Sequence, residues 1–310
     1  MADNNISVTA GEFSQQQMND KAIIVQILVV VFLCINFLLI VTFISKDVFY
    51  TTMRYILFAV TLLSDSIILI VSDVLLILIY FHVTMQVGLC VFVYILLVLC
   101  TFVTPVTLTA MTLERYVAIC MPLRHAELCS TRNALYCILI IHGISSVPCI
   151  IILSIFFSLT SNTLYTQHRI CSMNMFVFLR WQDHVKLGVY QCYFLIMIIT
   201  IIFSYVNIMK VAKATSGENK KSSWKGIRTV ILHAFQLLLC LIQLWCPFVE
   251  TAVLQIDFTL YSHVRYFNYL TFNLAPRCLS PLIYGLRDEK FFLALKYTIP
   301  FRLHCAKNNV

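Results

Sequence analysis

Charge is scarce in this chain of 310 residues. Only 12% of its residues are Asp, Glu, Lys or Arg, against roughly 25% in an average soluble domain, and that deficit points away from a water-soluble globule. Glycine and proline are also scarce, at seven each, which removes collagen-like and low-complexity architectures. No repeat of about 20–50 residues runs through the chain, so a solenoid or propeller is excluded. Neither Cys-x-x-Cys nor His-Glu-x-x-His occurs, so the familiar metal spacings are missing and no metal or other cofactor is expected. No nucleophile–base arrangement stands out, which argues against an enzyme. Residues 1–20 have no basic start and no short apolar core before a small-residue cleavage site, so no removable signal peptide is expected.

What fills the space is apolar: 60% of the residues are hydrophobic. A helix needs about 20 apolar residues to cross the hydrocarbon. Seven runs qualify, at about 22–45, 54–80, 87–113, 134–158, 188–212, 229–255 and 267–286. The last contains Pro276, Arg277 and Pro281, but membrane helices tolerate proline because neighbouring groups take up the freed carbonyl. The expected fold is therefore an all-α membrane bundle of seven helices over 22–286, with an outer N-terminal segment 1–21 and an inner segment 287–310. Most of the 13 cysteines lie in or beside these runs, where Cys behaves as a small hydrophobe.

The distribution of positive charge sets the orientation. The loops after the first, third and fifth spans, with the tail, hold 16 of the 22 Lys and Arg. By the positive-inside rule the N-terminus is outside and the tail cytoplasmic. The same loops account for the net charge of +8 without a nucleic-acid partner. On the outer side lies Asn5-Ile6-Ser7, a glycosylation acceptor pattern. Cys90 and Cys171 also fall in that oxidising space, either as a disulfide, which is the expectation carried forward, or as two separate thiols.

After more than twenty residues without charge the third span ends in AMTLERYVAICMPLRHA, residues 110–126. Taken alone, Glu114 and Arg115 are a stop signal at the interface, where charge is cheaper than at the bilayer centre. The stretch M-T-L-E-R-Y-V-A-I-C-M-P-L-R-H nevertheless resembles the third-helix signature of odorant receptors, the olfactory branch of the rhodopsin-like G-protein-coupled receptors. Other motifs fall in order along the chain: Asn36 in span one, Leu63-Ser64-Asp65 in span two and Ser204-Tyr205 in span five. They continue with K-G-I-R-T-V-I-L-H from Lys225 to His233, and with Ser280-Pro281-Leu282-Ile283-Tyr284 followed by Gly285-Leu286-Arg287. The P-R-C-L-S-P-L-I-Y-G-L-R-D form and Ala126 after P-L-R-H are most similar to the fish branch.

That resemblance implies a heterotrimeric G protein as the inner partner, an odorant as ligand, a rise in cyclic AMP, and a place in the plasma membrane of olfactory cilia. It implies that Glu114 holds Arg115 at rest. On activation span six swings out, Arg115 is released, and Tyr205 and Tyr284 turn inward; Tyr116 completes the signature and His233 lies near Arg115. Pro247 is expected to kink span six next to Trp245. Two charges sit deep in the membrane, Asp65 and Arg277, and an intramembrane ionisable residue calls for a partner. In rhodopsin-like receptors the matching Asp often holds sodium; here Arg277 is placed to occupy the cation site, with Thr104 and Ser280 nearby.

The ligand site expected from helical spacing is formed by Leu97, Val98, Thr101 and Phe102 from span three, Val189 and Tyr193 from span five, Trp245, Phe248, Val249, Glu250 and Ala252 from span six, and Tyr269 and Asn273 from span seven. It is mostly apolar with a few polar groups, the make-up of a small-molecule pocket. Span three has no carboxylate before Glu114 and span seven has no Lys, so an amine counter-ion there and a retinal Schiff base are excluded. Residues 287–297 are expected to form an amphipathic helix on the membrane lipids, with Phe291, Phe292 and Leu295 on one face and Cys305 as a candidate for palmitoylation. The alternatives are a receptor of the same fold for a lipid, steroid or peptide, and a transporter or channel, which would show inverted repeats or a file of polar residues.

Overall fold

Long apolar runs fold as helices because a backbone within the bilayer must satisfy its own hydrogen bonds. The computed structural model describes residues 2–160, 164–171, 173–176, 179–214, 231–232, 234–279 and 291–297. Helix α1 spans Ala2–Ile44, α2 Met53–Tyr80 and α3 Val87–Cys120; a short α4, Pro122–Leu128, leads into α5, Thr131–Leu159, and then α6, Arg180–Ala214. Helix α7 covers 234–243, α8 Cys246–Leu254 and α9 Phe258–Asn268. The chain then winds through a π-helical segment, Tyr269–Leu274, and continues helical over 275–279; α10 covers 291–297. Six of these stretches are long and apolar enough to cross a membrane, the sixth running through α7 and α8 from Ala234 to Leu254. With the α9-to-279 segment they give the seven-helix bundle.

Several helices outrun the apolar runs. Helix α1 reaches back to Ala2, α6 begins at Arg180, and α9 starts at Phe258, where Asp257 caps it by accepting from the Leu260 amide at 2.8 Å. Hydropathy registers only the part of a helix inside hydrocarbon, and nothing in the polar ends stops the helix. The same effect carries α3 to Cys120, so Glu114 and Arg115 lie within the helix rather than at its end.

Helix α3 is the axis of the bundle. More than half of its apolar window is buried, against a third or less in every other span. In lipid the driving force between helices is close packing rather than the hydrophobic effect, so small and hydroxylated side chains are useful at the seam. Thr107 and Thr112 donate to the carbonyls of Val103 and Leu108 at 2.7 and 3.0 Å, so they pack as small groups with no unmet donor.

The end of the bundle away from Glu114 is closed by covalent and backbone bonds. Strands β1, Met85–Gln86, and β2, His168–Arg169, pair antiparallel, and Cys90 and Cys171 form a disulfide with a Cα–Cα distance of 5.6 Å. Helix α2 ends there in a Schellman turn. The His82 amide donates to Ile79 and the Val83 amide to Leu78, with His82 at φ 51°, a region in which a non-glycine residue pays for its Cβ.

Prolines shape the last two spans. Pro247 donates no hydrogen bond and crowds the carbonyl a turn earlier, and the helix is interrupted by a turn at Leu244 and Trp245 before α8 resumes. Pro276 follows the π-helical segment, a widened turn that relieves the same crowding. At the other end, Phe291 of α10 is fully buried against Phe49, Tyr55 and Phe58. Leu295 lies on the buried side with it, whereas Phe292 is exposed. Adjacent residues are 100° apart on a helix, so the three do not share one membrane-facing side.

Candidate functional site

The foot of α3 carries a loose ionic cluster. Glu114 is buried, and its Oε2 lies 3.7 Å from Nε of Arg115. Its Oε1 lies 3.3 Å from Nε2 of His125 on α4. Helix α4 is held in place at its end, where Asn133 donates to the carbonyls of Glu127 and Leu128. Burial, and then the Glu114 carboxylate, push the thiol of Cys129 above its ordinary pKa. Tyr116 of α3 and Tyr205 of α6 both pack on the fully buried Ile208, and Tyr116 also packs on the Phe203 ring at 5.5 Å. Ser204 donates to Thr200 of its own helix. His233, Ser280, Pro281 and Tyr284 lie outside the described residues, as does most of the segment from Lys225 to His233 and Cys305. Of Asn5 only the backbone is described, within α1.

A second polar cluster occupies the middle of the bundle. Asp65 is fully buried, Thr104 donates to its Oδ1 at 2.9 Å, and Arg277 Nε stands 3.9 Å from the same oxygen. Arg277 Nη1 donates to both the backbone and the side-chain oxygen of Asn273. Asn36, also fully buried, donates to Ser66 at 3.2 Å. A residue the spacing argument passed over, Gln236 of α7, donates to the Pro276 carbonyl at 3.1 Å and so ties the sixth span to the seventh. Its signal in the sequence is a lone amide inside an apolar run, which must find a partner when buried.

The residues expected around a ligand are spread over different surroundings. Leu97, Val98 and Phe102 are buried, and Phe102 is flanked edge-on by the rings of Tyr190 and Tyr193 at 5.1 and 5.2 Å. Thr101 donates to Leu97 of its own helix, and Tyr193 donates to the Ile144 carbonyl of α5. Val189 and Phe248 pack against this core while partly buried. Tyr269 sits instead with α1 and α2 residues, and Asn273 is drawn to Arg277. Trp245, Val249 and Ala252 are exposed; the Trp245 ring leans on Phe194 at 6.4 Å. Glu250 accepts from Asn268 at 3.1 Å and Asp73 accepts from Gln26. A hollow of about 160 Å³ lies in the groove between α6 and α7, lined by Ile198, Ile201, Ala234, Leu238 and their neighbours. None of the expected ligand residues lines it.

The chain's relatives agree with this architecture. Residues 35–284 match the family model described as 7 transmembrane receptor (rhodopsin family). A zebrafish (Danio rerio) protein, odorant receptor 131-2, is 40% identical over 285 residues, covering 92% of this chain and 87% of that protein. A seven-helix bundle with an E-R-Y foot on its central helix, matched over these lengths, identifies the chain as a non-enzymatic receptor of the rhodopsin family of seven-transmembrane receptors, within its odorant-receptor branch.

Proposed function

We propose that this receptor binds small, mainly apolar odorants from outside the cell and activates a stimulatory heterotrimeric G protein, raising cyclic AMP. The observation that carries the coupling half is the Glu114–Arg115 contact. At 3.7 Å, without a direct hydrogen bond and with Arg115 partly exposed, it is a loose ion pair, worth on the order of 1 kcal/mol. A switch whose two states lie within a few kcal/mol needs a latch of that size. Arg115 is then the group released, and the packing of Tyr116 and Tyr205 on Ile208 is where α6 follows. His233, Pro281 and Tyr284 belong to the same inner switch by their place in the motifs. The odorant input rests on the 40% identity with the zebrafish odorant receptor and on the aromatic, largely apolar surroundings of Phe102, Tyr193 and Phe248. The charge distribution supports an outer N-terminus in the plasma membrane, open to glycosylation at Asn5, and the olfactory cilium is the site of action.

The test is a cyclic-AMP reporter assay in cells supplied with odorant-receptor chaperones, screened with water-soluble odorants. Arg115→Ala is expected to abolish the response at unchanged surface level. Phe248→Ala is expected to shift the concentration for half-response while leaving the maximum in place. A wild-type response that persists in Arg115→Ala would remove the latch, and ligand-driven flux or current without G-protein dependence would replace the reading with a transporter.

A further inference from the structure

Beside the latch, three side chains of different chemistry converge. Glu114 comes from α3, His125 from α4 and Cys129 from the residue that closes α4, and one ligand atom of each lies within 4.8 Å of the others. His125 and Cys129 are four residues apart, so the turn of α4 presents both on one side. The Glu114 side chain is 6% exposed. Its Oε2 accepts no hydrogen bond among the described residues, which leaves a buried acceptor with unused capacity, an arrangement that normally calls for a partner. Arg115, at 3.7 Å, answers that only in part. The His125 side chain is 37% exposed and gives the cluster an open approach.

A carboxylate oxygen, an imidazole nitrogen and a thiol sulfur form the mixed donor set of zinc; magnesium and calcium take oxygen alone. Around a tetrahedral zinc with bonds of about 2.0–2.3 Å, neighbouring ligand atoms stand about 3.3–3.8 Å apart. The side chains therefore need to close by roughly 1 Å, a movement within rotamer adjustment.

We propose that Glu114, His125 and Cys129 form a binding site for a zinc-like divalent cation, with water completing a tetrahedral shell. The Cys129 thiol gives its proton to solvent as the sulfur joins the metal, and no electron is transferred. The inference deepens the coupling reading and rests on it for its consequence: a cation on the Glu114 carboxylate takes the place of Arg115, so metal and latch are alternatives.

The test uses the full-length receptor in lipid nanodiscs, titrated with Co²⁺ as the probe. One Co²⁺ per receptor is expected, with a near-ultraviolet thiolate-to-cobalt charge-transfer band and the strong visible bands of a tetrahedral ion, all displaced by Zn²⁺. Cys129→Ser is expected to lose the charge-transfer band. His125→Ala and Glu114→Gln are each expected to weaken binding roughly a hundredfold, the scale of one ligand among three or four. His125 is partly exposed, so its variant is the one that tests the site with least disturbance to folding. Absence of the band in wild type, its survival in Cys129→Ser, or wild-type affinity in His125→Ala would overturn the site. These readouts use no G protein. A failure here leaves the coupling reading standing, and a failure of coupling with the cobalt spectrum intact leaves the metal site standing.

Discussion

Removing the charge of Asp65 is expected to harm the bundle far more than removing it together with that of Arg277. The carboxylate is fully buried and the arginine 3% exposed, with Nε and Oδ1 at 3.9 Å. At an effective dielectric of about 20, unit charges at that distance attract by about 4 kcal/mol. Asp65→Asn forfeits that attraction and leaves the guanidinium, among the described residues, with its bonds to Asn273. Arg277→Gln takes the counter-charge from the carboxylate, with Thr104 still donating to it. Breaking one side of a buried pair costs about 3–5 kcal/mol, whereas replacing both sides is often near neutral because no charge is left uncompensated. The single losses therefore sum to about 6–10 kcal/mol and the double loss falls short of that by at least about 4 kcal/mol, the coupling a double-mutant cycle reads. At about 2–4 °C per kcal/mol, each single change lowers the melting midpoint in nanodiscs by roughly 6–20 °C. Surface cytometry of tagged receptors should rank the variants in the same order. Losses that simply add would refute the pairing.

Reduction of Cys90–Cys171 opens a link across 81 residues; loop entropy gives an upper bound of about 4.5 kcal/mol. A reductant should lower the wild-type melting midpoint while leaving the Cys90→Ser/Cys171→Ser double variant where it is, and a wild-type midpoint unmoved by reduction would contradict this. At His82, whose φ is 51°, His82→Gly removes a Cβ from the left-handed region and is expected to stabilise by about 0.5–1 kcal/mol; a lowered midpoint would count against the Schellman turn as the limiting strain. Glu114→Gln weakens the latch, so ligand-free cyclic AMP should rise by up to about fivefold, the factor that corresponds to about 1 kcal/mol. Unchanged or reduced basal signalling at equal surface level would show that the pair does not hold the resting state.

Which features could be read from the sequence depends on whether they follow from the membrane or from neighbours. The spans are legible because hydrocarbon demands long apolar runs, and Asp65 and Arg277 can be brought together on paper because charge there demands a partner. Helix ends are not legible from hydropathy, as Ala2, Arg180 and Phe258 show. Nor is the rotation of a helix about its axis, which packing decides. Trp245 and Val249 reach the surface once the turn before Pro247 resets the phase of α8, and Asn273 is claimed by Arg277 from within its own helix. Phe291 drops into a gap beside Phe49 that no periodicity announces. The closeness of Cys129 to Glu114 depends on α4, seven residues long, too short for a pattern to show.

Arg277 has one consequence for how such a molecule meets its surroundings. A mobile counter-ion leaves its carboxylate when the bathing medium is dilute and returns when it is salty. A guanidinium tethered to the backbone stays at full occupancy in both. The counter-charge at the centre of the bundle is thereby written into the chain.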